Sequence, residues 1–200
     1  MFESIEKYQA LIFDMDGTII DTMPAHLKAW QQTAEHFGFP FCEQWLHSLG
    51  GMPSYKIAAE VNKKHDMSLE PKEVSRFKMD AFASLDEHGE PIDCTVNVLN
   101  HFFGKKKLAV GTGSQRESAI RLLTKAKLID KLDAVVTATD VANHKPNPDT
   151  FLQAAELVNT VPANCLVFED TKLGLQAAHA AKMDCMMVEG DELVFYPYSE

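Results

Sequence analysis

The sequence is poor in arginine and in clustered positive charge, and this shortage excludes two classes of partner. Its 200 residues include only three arginines, at positions 76, 116 and 121, and the formal net charge is −10. Proteins that bind nucleic acids or anionic membranes do so through clustered lysine and arginine. We therefore expect neither kind of partner. A small anionic substrate is still compatible with this charge if a few cations or a metal ion gather locally.

Long apolar runs and closely spaced cysteines are also missing. No run approaches the ~18 apolar residues that a membrane helix needs, and the first residues, "MFESIEKYQA", lack the basic start and apolar core of a signal peptide. Cys42, Cys94, Cys165 and Cys185 lie far apart with no C-x-x-C pair. This spacing favours reduced thiols over disulfides or a zinc site. We expect a cytoplasmic protein, and the sequence indicates no particular oligomeric state.

Short apolar runs alternate with helical patterns over much of the chain. The predicted strands are 10–13, 108–111, 134–137, 165–168 and 184–188, and the predicted helices between them are 115–126, 148–158 and 171–181. Continuous apolar runs are typical of strands that are covered on both faces. The alternation predicts an α/β fold with a doubly wound parallel sheet. Thr171 is a plausible N-cap of the last helix.

The segment between the first two strands is too long for a simple crossover. It contains helical patterns at 24–37, 41–48, 54–65 and 71–86 and no strong strand pattern. A segment of this size with its own helices predicts a small inserted domain. We therefore predict a catalytic core formed by residues 1–22 and 91–200, with an α-helical cap at 23–90. "EHGEPID" (87–93) is a candidate return linker, and the C-terminal "EGDELVFYPYSE" either covers a sheet edge or trails from it.

Polar residues follow the predicted strands at the points where the strands end. They are Asp14 and Asp16 after the first strand, Thr112 and Ser114 after the second, Lys145 in "NHKPNPD" after the third, and Glu169 and Asp170 after the fourth. Ligands of open parallel sheets bind beyond the carboxyl ends of the strands. We expect these side chains to meet at one edge of the sheet.

Carboxylates that converge in this way need a cation, and a site made only of oxygen ligands favours Mg²⁺. The predicted ligands are the side chains of Asp14 and Asp170, the main-chain carbonyl of Asp16, and Glu169 as a further ligand. Asp14 and Asp16 are on the same side of the strand, so one can attack while the other transfers a proton.

A carboxylate that attacks phosphorus forms an aspartyl-phosphate intermediate. Lys145 and the hydroxyl of Thr112 would then offset charge on the transferring phosphoryl oxygens. The residues therefore predict phosphoryl-transfer chemistry at this edge of the sheet.

Four motifs, taken in order along the chain, resemble those of the haloacid dehalogenase superfamily. They are "DMDGT", "VGTGS", "HKPNPDTF" and "VFEDTKLGLQAA", and the resemblance covers nearly the whole chain. It implies that Asp14 is the nucleophile, that Asp16 is the general acid/base and that Mg²⁺ is the cofactor. Dehalogenase members lack the second aspartate, so its presence implies phosphoryl transfer.

The stretch "DGTIIDTMPAHLKAW" and the helical insertion resemble the β-phosphoglucomutase-like subgroup, which includes bacterial phosphatases of fructose 1-phosphate and 6-phosphogluconate. The resemblance implies that Thr22 and His26 lie at the hinge near Asp16, and that a cap lysine, for which Lys78 is the candidate, reaches into the site. Two alternatives stay open: His26 only lines the cap interface, or Lys78 is a surface lysine. The remaining candidate substrate contacts are Gly51, Ser114 and Arg116.

The cap loop helps to distinguish a phosphatase from a mutase. β-Phosphoglucomutases hold a second phosphate with an arginine just after a glycine-containing cap loop, because the guanidinium fork suits phosphate. The matching stretch here, "SLGGMPSYKIA", has Pro53 and Ser54 at that point, and Lys56 is the nearest cation. This departure favours a Mg²⁺-dependent phosphatase of small phosphorylated metabolites, with a mutase as the alternative.

Two further alternatives are weaker. A non-enzymatic phospho-receiver domain also uses an acidic Mg²⁺ site, but it lacks the insertion at 24–90 and does not need Asp16, which speeds hydrolysis. "GTGSQRE" is similar to a glycine-rich dinucleotide loop, but Arg116 stands where the third glycine belongs.

Overall fold

The computed structural model describes residues 2–199, and a six-stranded sheet forms its centre. The strands are β1 (Ala10–Phe13), β2 (Lys107–Gly111), β3 (Ala134–Val136), β4 (Cys165–Glu169), β5 (Asp184–Glu189) and β6 (Glu192–Tyr196). Their lateral order is β3-β2-β1-β4-β5-β6; the first five are parallel, and β6 pairs antiparallel with β5. The predicted doubly wound α/β fold is confirmed.

The helices lie on the two faces of this sheet and in the segment after β1. They are α1 (Phe2–Ile5), α2 (Met23–Phe37), α3 (Glu43–Ser48), α4 (Ser54–His65), α5 (Pro71–Ala83), α6 (Asp93–Phe102), α7 (Arg116–Lys125), α8 (Asp149–Leu157) and α9 (Lys172–Ala180). Helix α5 ends three residues earlier than predicted. The predicted N-cap of α9 is confirmed, because the side chain of Thr171 accepts from the Gly174 amide.

Strand β1 is central and fully buried, as its unbroken apolar sequence predicts. It pairs with β2 on one side and β4 on the other, so that Phe13 lies beside Val110 and Phe168. Leu11 and Phe13 belong to one hydrophobic cluster, and Ile12 to another that covers the opposite face. Because the strands are in register at their carboxyl ends, the residues that follow them converge.

Helix α6 was not predicted; its first residue, Asp93, is the last residue of the predicted linker 87–93. Its N-cap position is Ile92, which offers no capping side chain. Its buried residues Thr95, Val98, Leu99 and Phe102 nevertheless follow helical spacing and pack in the core. The chain therefore returns from the insertion directly into a core helix.

Helices α2 to α5 lie in residues 23–90 and have a hydrophobic cluster of their own, which includes Trp30, Leu46, Val61 and Val74. Two connections join this segment to the sheet, and they run side by side: the Asp21 amide donates to the Glu90 carbonyl at 2.9 Å. We keep the division into a core and a cap at 23–90 as a proposal.

The C-terminal segment covers the edge of the sheet. Strand β6 pairs with residues 185–189 of β5, and the Tyr198 amide donates to Asp184 at 2.8 Å. The Tyr8 hydroxyl donates to the same carboxylate, at 2.5 Å, so that both ends of the described chain meet at the start of β5. Within residues 2–199, no helix combines the length and the apolar character needed to cross a bilayer.

Candidate active site

Lys145 is buried between two carboxylates at the carboxyl edge of the sheet. It lies in the loop after β3, where its ammonium donates to Asp14, just beyond β1, and to Oε1 of Glu169, the last residue of β4, at 2.7 Å. Only 2% of Lys145 is exposed. Burial alone would lower the pKa of Lys145, but the charges of Asp14 and Glu169 raise it, so the ammonium stays charged.

Asp14 lies among like charges. Burial raises the pKa of its carboxyl well above the ordinary value; Lys145 opposes this shift, and the charges of Glu169, Asp170 and Asp16 add to it. The cluster therefore carries more negative charge than Lys145 alone can offset, which is the situation that the sequence predicts for a cation site.

Glu169, predicted as a further metal ligand, also binds several protein donors. Its Oε1 accepts from Lys145, and its Oε2 accepts from the amides of Asp170 and Thr171, at 2.8 and 2.7 Å, and from the Thr171 hydroxyl at 2.9 Å. Both oxygens therefore accept from protein donors. Glu169 orients Lys145 and the turn that leads into α9, and its role as a further metal ligand stays a prediction.

Gly174, inside α9, makes room for this arrangement. A Cβ at this position would lie 1.8 Å from the carboxyl carbon of Glu169. A glycine within a helix usually weakens it, and here it permits the close approach of the buried carboxylate.

Asp16 accepts hydrogen bonds from four side chains. Its Oδ1 accepts from Thr22 at 2.7 Å and contacts Nε2 of His26 at 3.1 Å; its Oδ2 accepts from Thr112 at 3.2 Å and from Ser114 at 2.7 Å. Burial opposes ionisation, but these hydrogen bonds and the proximity of His26 lower the pKa of Asp16. The structure thus brings four of the predicted site residues together around the carboxylate of a fifth, Asp16.

Lys78 reaches this group from the cap. Its Nζ lies 2.6 Å from Nδ1 of His26, whose Nε2 faces Asp16. Since the ammonium donates to Nδ1, the imidazole proton is assigned to Nε2. Burial lowers the pKa of Lys78 to about 8, although the negative charge of Asp16 acts to raise it. Lys78 is therefore not a surface lysine, and His26 does more than line the cap interface.

The residues at this edge fit a Mg²⁺ ion. One oxygen of Asp14 is taken by Lys145 and one oxygen of Asp170 by the Thr18 hydroxyl, at 3.0 Å, while the second oxygen of each accepts nothing from residues 2–199. The main-chain carbonyl of Asp16 is also without a donor in that range. Mg²⁺ is commonly held by one or two carboxylates, with waters and a substrate phosphate completing its coordination.

The loop between Asp14 and Thr18 passes close to Asp170 because of Gly17. Its φ is +85°, a conformation that favours glycine, and a Cβ there would lie 2.4 Å from Oδ2 of Asp170. Burial and the charge of Glu169 raise the pKa of Asp170 to about 7. In the described part of the chain, no group of three or more His, Cys, Asp or Glu side chains is arranged to hold a metal by itself, so the ion would depend on additional oxygen ligands.

A cleft of about 70 Å³ lies between this edge and the cap. Its cap wall is mainly apolar, with three methionines (Met23, Met52, Met79), Leu27, Trp30, Leu46 and Ile57, and the hydroxyls of Ser54 and Ser75. The cap loop closes against the core, since a Cβ at Gly113 would lie 2.4 Å from the carbonyl oxygen of Gly51. Gly113 and the methionines were not among the predicted site residues; the "GTGS" motif contained the signal for Gly113.

Arg116, predicted as a phosphate contact, does not line the cleft. Its guanidinium donates instead to both oxygens of Asp140, at 2.9 and 2.8 Å. Ser114, two residues earlier, turns inward to Asp16, whereas Arg116 begins α7 and faces the end of β3. Lys56 is likewise absent from the lining. The predicted substrate contacts Gly51, Ser114, His26 and Lys78 do line it.

Comparisons with known proteins agree with this geometry. Residues 11–188 match the family described as haloacid dehalogenase-like hydrolase. The chain is 42% identical to fructose-1-phosphate phosphatase YqaB of Escherichia coli, over 92% of this chain and 97% of that protein. It is 30% identical to a β-phosphoglucomutase of Bacillus subtilis, over 88% of this chain and 80% of that protein. The crystal structure of a hydrolase from Pseudomonas syringae superposes with a TM-score of 0.82 at 26% identity, covering 90% of this chain and 84% of that one.

Proposed function

Because the chain belongs to the haloacid dehalogenase-like hydrolase family, we propose that it is a Mg²⁺-dependent phosphatase that hydrolyses small sugar phosphates through an aspartyl-phosphate. One observation carries this proposal: Asp14 has a free carboxylate oxygen beside Lys145, while Asp16, two residues later, is held by hydrogen bonds at the cap interface. One carboxylate is thus available for attack and its neighbour for proton transfer.

In the first step, the free oxygen of Asp14 attacks phosphorus, and the bond from phosphorus to the sugar oxygen breaks. The leaving oxygen takes a proton from Asp16, so that the sugar departs as a neutral alcohol. Asp16 must therefore enter this step protonated, although its hydrogen bonds favour the carboxylate before a substrate binds. Lys145 supports the attack because its charge orients Asp14 and offsets charge on the phosphoryl oxygens.

In the second step, Asp16 takes a proton from a water molecule, which attacks the phosphorus of the aspartyl-phosphate. The bond between phosphorus and Asp14 breaks, which releases inorganic phosphate and restores both side chains. The hydrogen bonds from Thr22 and Ser114 favour the carboxylate form of Asp16, which is the form that this step requires.

The Mg²⁺ ion would be held by Asp14, Asp170 and the main-chain carbonyl of Asp16. When bound, it supplies positive charge that offsets the carboxylates and the transferring phosphoryl group. The free oxygen of Asp170 and the main-chain carbonyl of Asp16, which accepts no hydrogen bond within residues 2–199, support this assignment, and Asp14 would contribute the oxygen that also accepts from Lys145.

The charge of the cleft favours a phosphatase over the mutase alternative. A mutase must hold a second phosphate, yet within residues 2–199 the only basic side chains that line the cleft are His26 and Lys78. Burial and Lys78 lower the pKa of His26, which favours its neutral ring, and Lys78 donates to His26. The name of the E. coli relative supports fructose 1-phosphate as a candidate substrate, and the name of the B. subtilis relative keeps the mutase as the second candidate.

The test is an incubation of the purified protein with Mg²⁺ and separate substrates: fructose 1-phosphate, 6-phosphogluconate, β-glucose 1-phosphate and p-nitrophenyl phosphate. Free phosphate and glucose 6-phosphate are both measured. We expect phosphate release with fructose 1-phosphate or 6-phosphogluconate that stops when Mg²⁺ is chelated.

Asp14→Asn is the control, because it keeps the size of the side chain and removes the nucleophile. We expect this variant to fold and to release no phosphate. Substantial activity in this variant would contradict the assignment of the nucleophile, and glucose 6-phosphate formed without phosphate release would identify a mutase.

A further inference from the structure

Asp140 joins the start of α7 to the end of β3, outside the cleft. One of its oxygens accepts from Arg116 at 2.9 Å; the other accepts from Arg116 at 2.8 Å, from the Thr137 amide at 2.8 Å and from the Thr137 hydroxyl at 2.6 Å. A carboxylate with this many donors fixes the turn of residues 137–140 against the first turn of α7.

The 137–140 turn also contacts Ser114 through a main-chain hydrogen bond. The amide of Ala138, next to Thr137, donates to the Ser114 carbonyl at 3.0 Å. The Ser114 amide donates to the Thr112 hydroxyl at 3.0 Å, and its own hydroxyl donates to Asp16 at 2.7 Å. Ser114 is therefore fixed on one side by the turn and reaches Asp16 on the other.

We propose that Asp140, together with Arg116, is a positioning residue that acts on Asp16 through Ser114. The inference rests on the proposed function, since it concerns the proton that Asp16 transfers. Without Asp140, the 137–140 turn loses the acceptor for Thr137 and Arg116, and Ser114 can shift away from Asp16. A displacement of less than 1 Å is enough to weaken a hydrogen bond of this length.

The chain provides a matched control at the opposite end of the same strands. Asp133 accepts from the ammonium of Lys107 at 2.7 Å and from the Leu108 amide at 2.9 Å. Like Asp140, it is a partly exposed carboxylate beside β3 that accepts from a basic side chain and a main-chain amide, although it links β3 to β2 and Asp140 links β3 to α7. It lies at the amino ends of the strands, away from Asp16.

The test compares Asp140→Ala with Asp133→Ala on two substrates that differ in their leaving group. A sugar alcohol needs a proton as it departs, whereas p-nitrophenolate is stable without one. The measured quantity is kcat/KM, which reports on phosphoryl transfer to Asp14 and not on the second step. For Asp140→Ala we expect a loss of about tenfold with the sugar phosphate, the usual effect of one charge-assisted hydrogen bond, and little change with p-nitrophenyl phosphate.

For Asp133→Ala we expect kcat/KM to be unchanged with both substrates, although both variants should lower the melting temperature. If Asp140→Ala does not fold, Asp140→Asn keeps the shape of the side chain and should show the same selective loss at smaller size.

A double-mutant comparison tests the route through Ser114. Ser114→Ala removes the hydroxyl that Asp140 is proposed to position, so adding Asp140→Ala to it should cost little further activity with the sugar phosphate. Additive losses would overturn the inference, as would equal losses with both substrates. If the wild-type protein releases no phosphate, the proposed function is wrong, and this inference, which rests on it, is wrong as well.

Discussion

Nζ of Lys78 lies 2.6 Å from Nδ1 of His26, so a buried lysine of the cap stands one imidazole ring away from Asp16. The geometry links the position of the cap to the group that is proposed to transfer protons. Since burial lowers the pKa of Lys78 to about 8, its charge changes close to neutral pH.

The first prediction concerns the pH dependence of turnover. Below about pH 8, Lys78 is an ammonium that donates to His26; as the pH rises through about 8, that proton is lost. We expect kcat to fall across this range. Lys78→Met should have a lower kcat and no alkaline decline, whereas Lys56→Met, which changes a cap lysine outside the cleft, should retain it. If the alkaline decline in kcat persists in Lys78→Met, the group that titrates is not Lys78.

The second prediction concerns stability. The pKa of Lys78 is lower in the folded protein than in the unfolded chain, so at pH 7, where both states are protonated, the native state bears the full cost of the buried charge. This cost is on the order of 3 kcal/mol. Lys78→Met should therefore raise the melting temperature at pH 7 even as it lowers activity, and the difference from wild type should shrink as the pH rises above about 8. Calorimetry at two pH values measures both effects.

The third prediction separates two glycines that both allow close approaches. In Gly113→Ala the new methyl would meet the Gly51 carbonyl across the cleft, a contact that an open cap relieves. We expect kcat/KM to fall by about tenfold or more, with little change in melting temperature.

In Gly174→Ala the methyl would overlap Glu169 inside the core, where the neighbouring atoms have no room to move apart. Its stability should fall by about 1–3 kcal/mol, seen as a lower melting temperature. An equal loss of stability in Gly113→Ala would show that its contact does not open.

The fourth prediction concerns Mg²⁺ and pH together. Burial raises the pKa of Asp170 to about 7, well above its value in the unfolded chain. Without metal, the native state therefore binds the extra proton between about pH 4 and pH 7, and stability falls as the pH rises through this window. A bound cation removes that penalty, so the rise in melting temperature caused by Mg²⁺ should be larger at pH 8 than at pH 5.

Asp170→Asn is the matched variant for this measurement. It keeps the shape of the side chain without the charge, so it should be more stable than wild type at pH 8 in the presence of a chelator. It should also gain little from Mg²⁺. A full Mg²⁺ response in this variant would remove Asp170 from the ligand set.

Local sequence predicted the positions of the central strands and of the residues that follow them. The run at 10–13 has no polar residue, and Asp14 comes directly after it, so strand and carboxylate are set by neighbouring residues. Helix α6 was not predicted because Ile92 gives no capping signal and because the apolar spacing of the helix follows directly on a turn-rich stretch.

The partners of individual side chains were harder to predict, because they depend on distant parts of the chain. Glu169 resembles a metal ligand in sequence, and its additional contacts with Lys145 and with the turn before α9 were not predicted. Arg116 resembles a phosphate contact in sequence, but its guanidinium donates to Asp140 instead of facing the cleft. One signal was available: Gly174 interrupts a good helical pattern, and such a glycine often marks a close approach.

The size of the cleft has a consequence for the catalytic cycle. Sites for small organic ligands usually occupy about 300–1,000 Å³, and the closed cleft offers about 70 Å³. A sugar phosphate therefore needs more room than the closed cleft offers, and we expect the contact between Gly51 and Gly113 to separate when the substrate enters or leaves. Each turnover then includes two large motions, and such motions set the rate of many enzymes. If they do so here, turnover will slow in proportion to solvent viscosity, and substrates with faster chemistry will gain nothing in kcat.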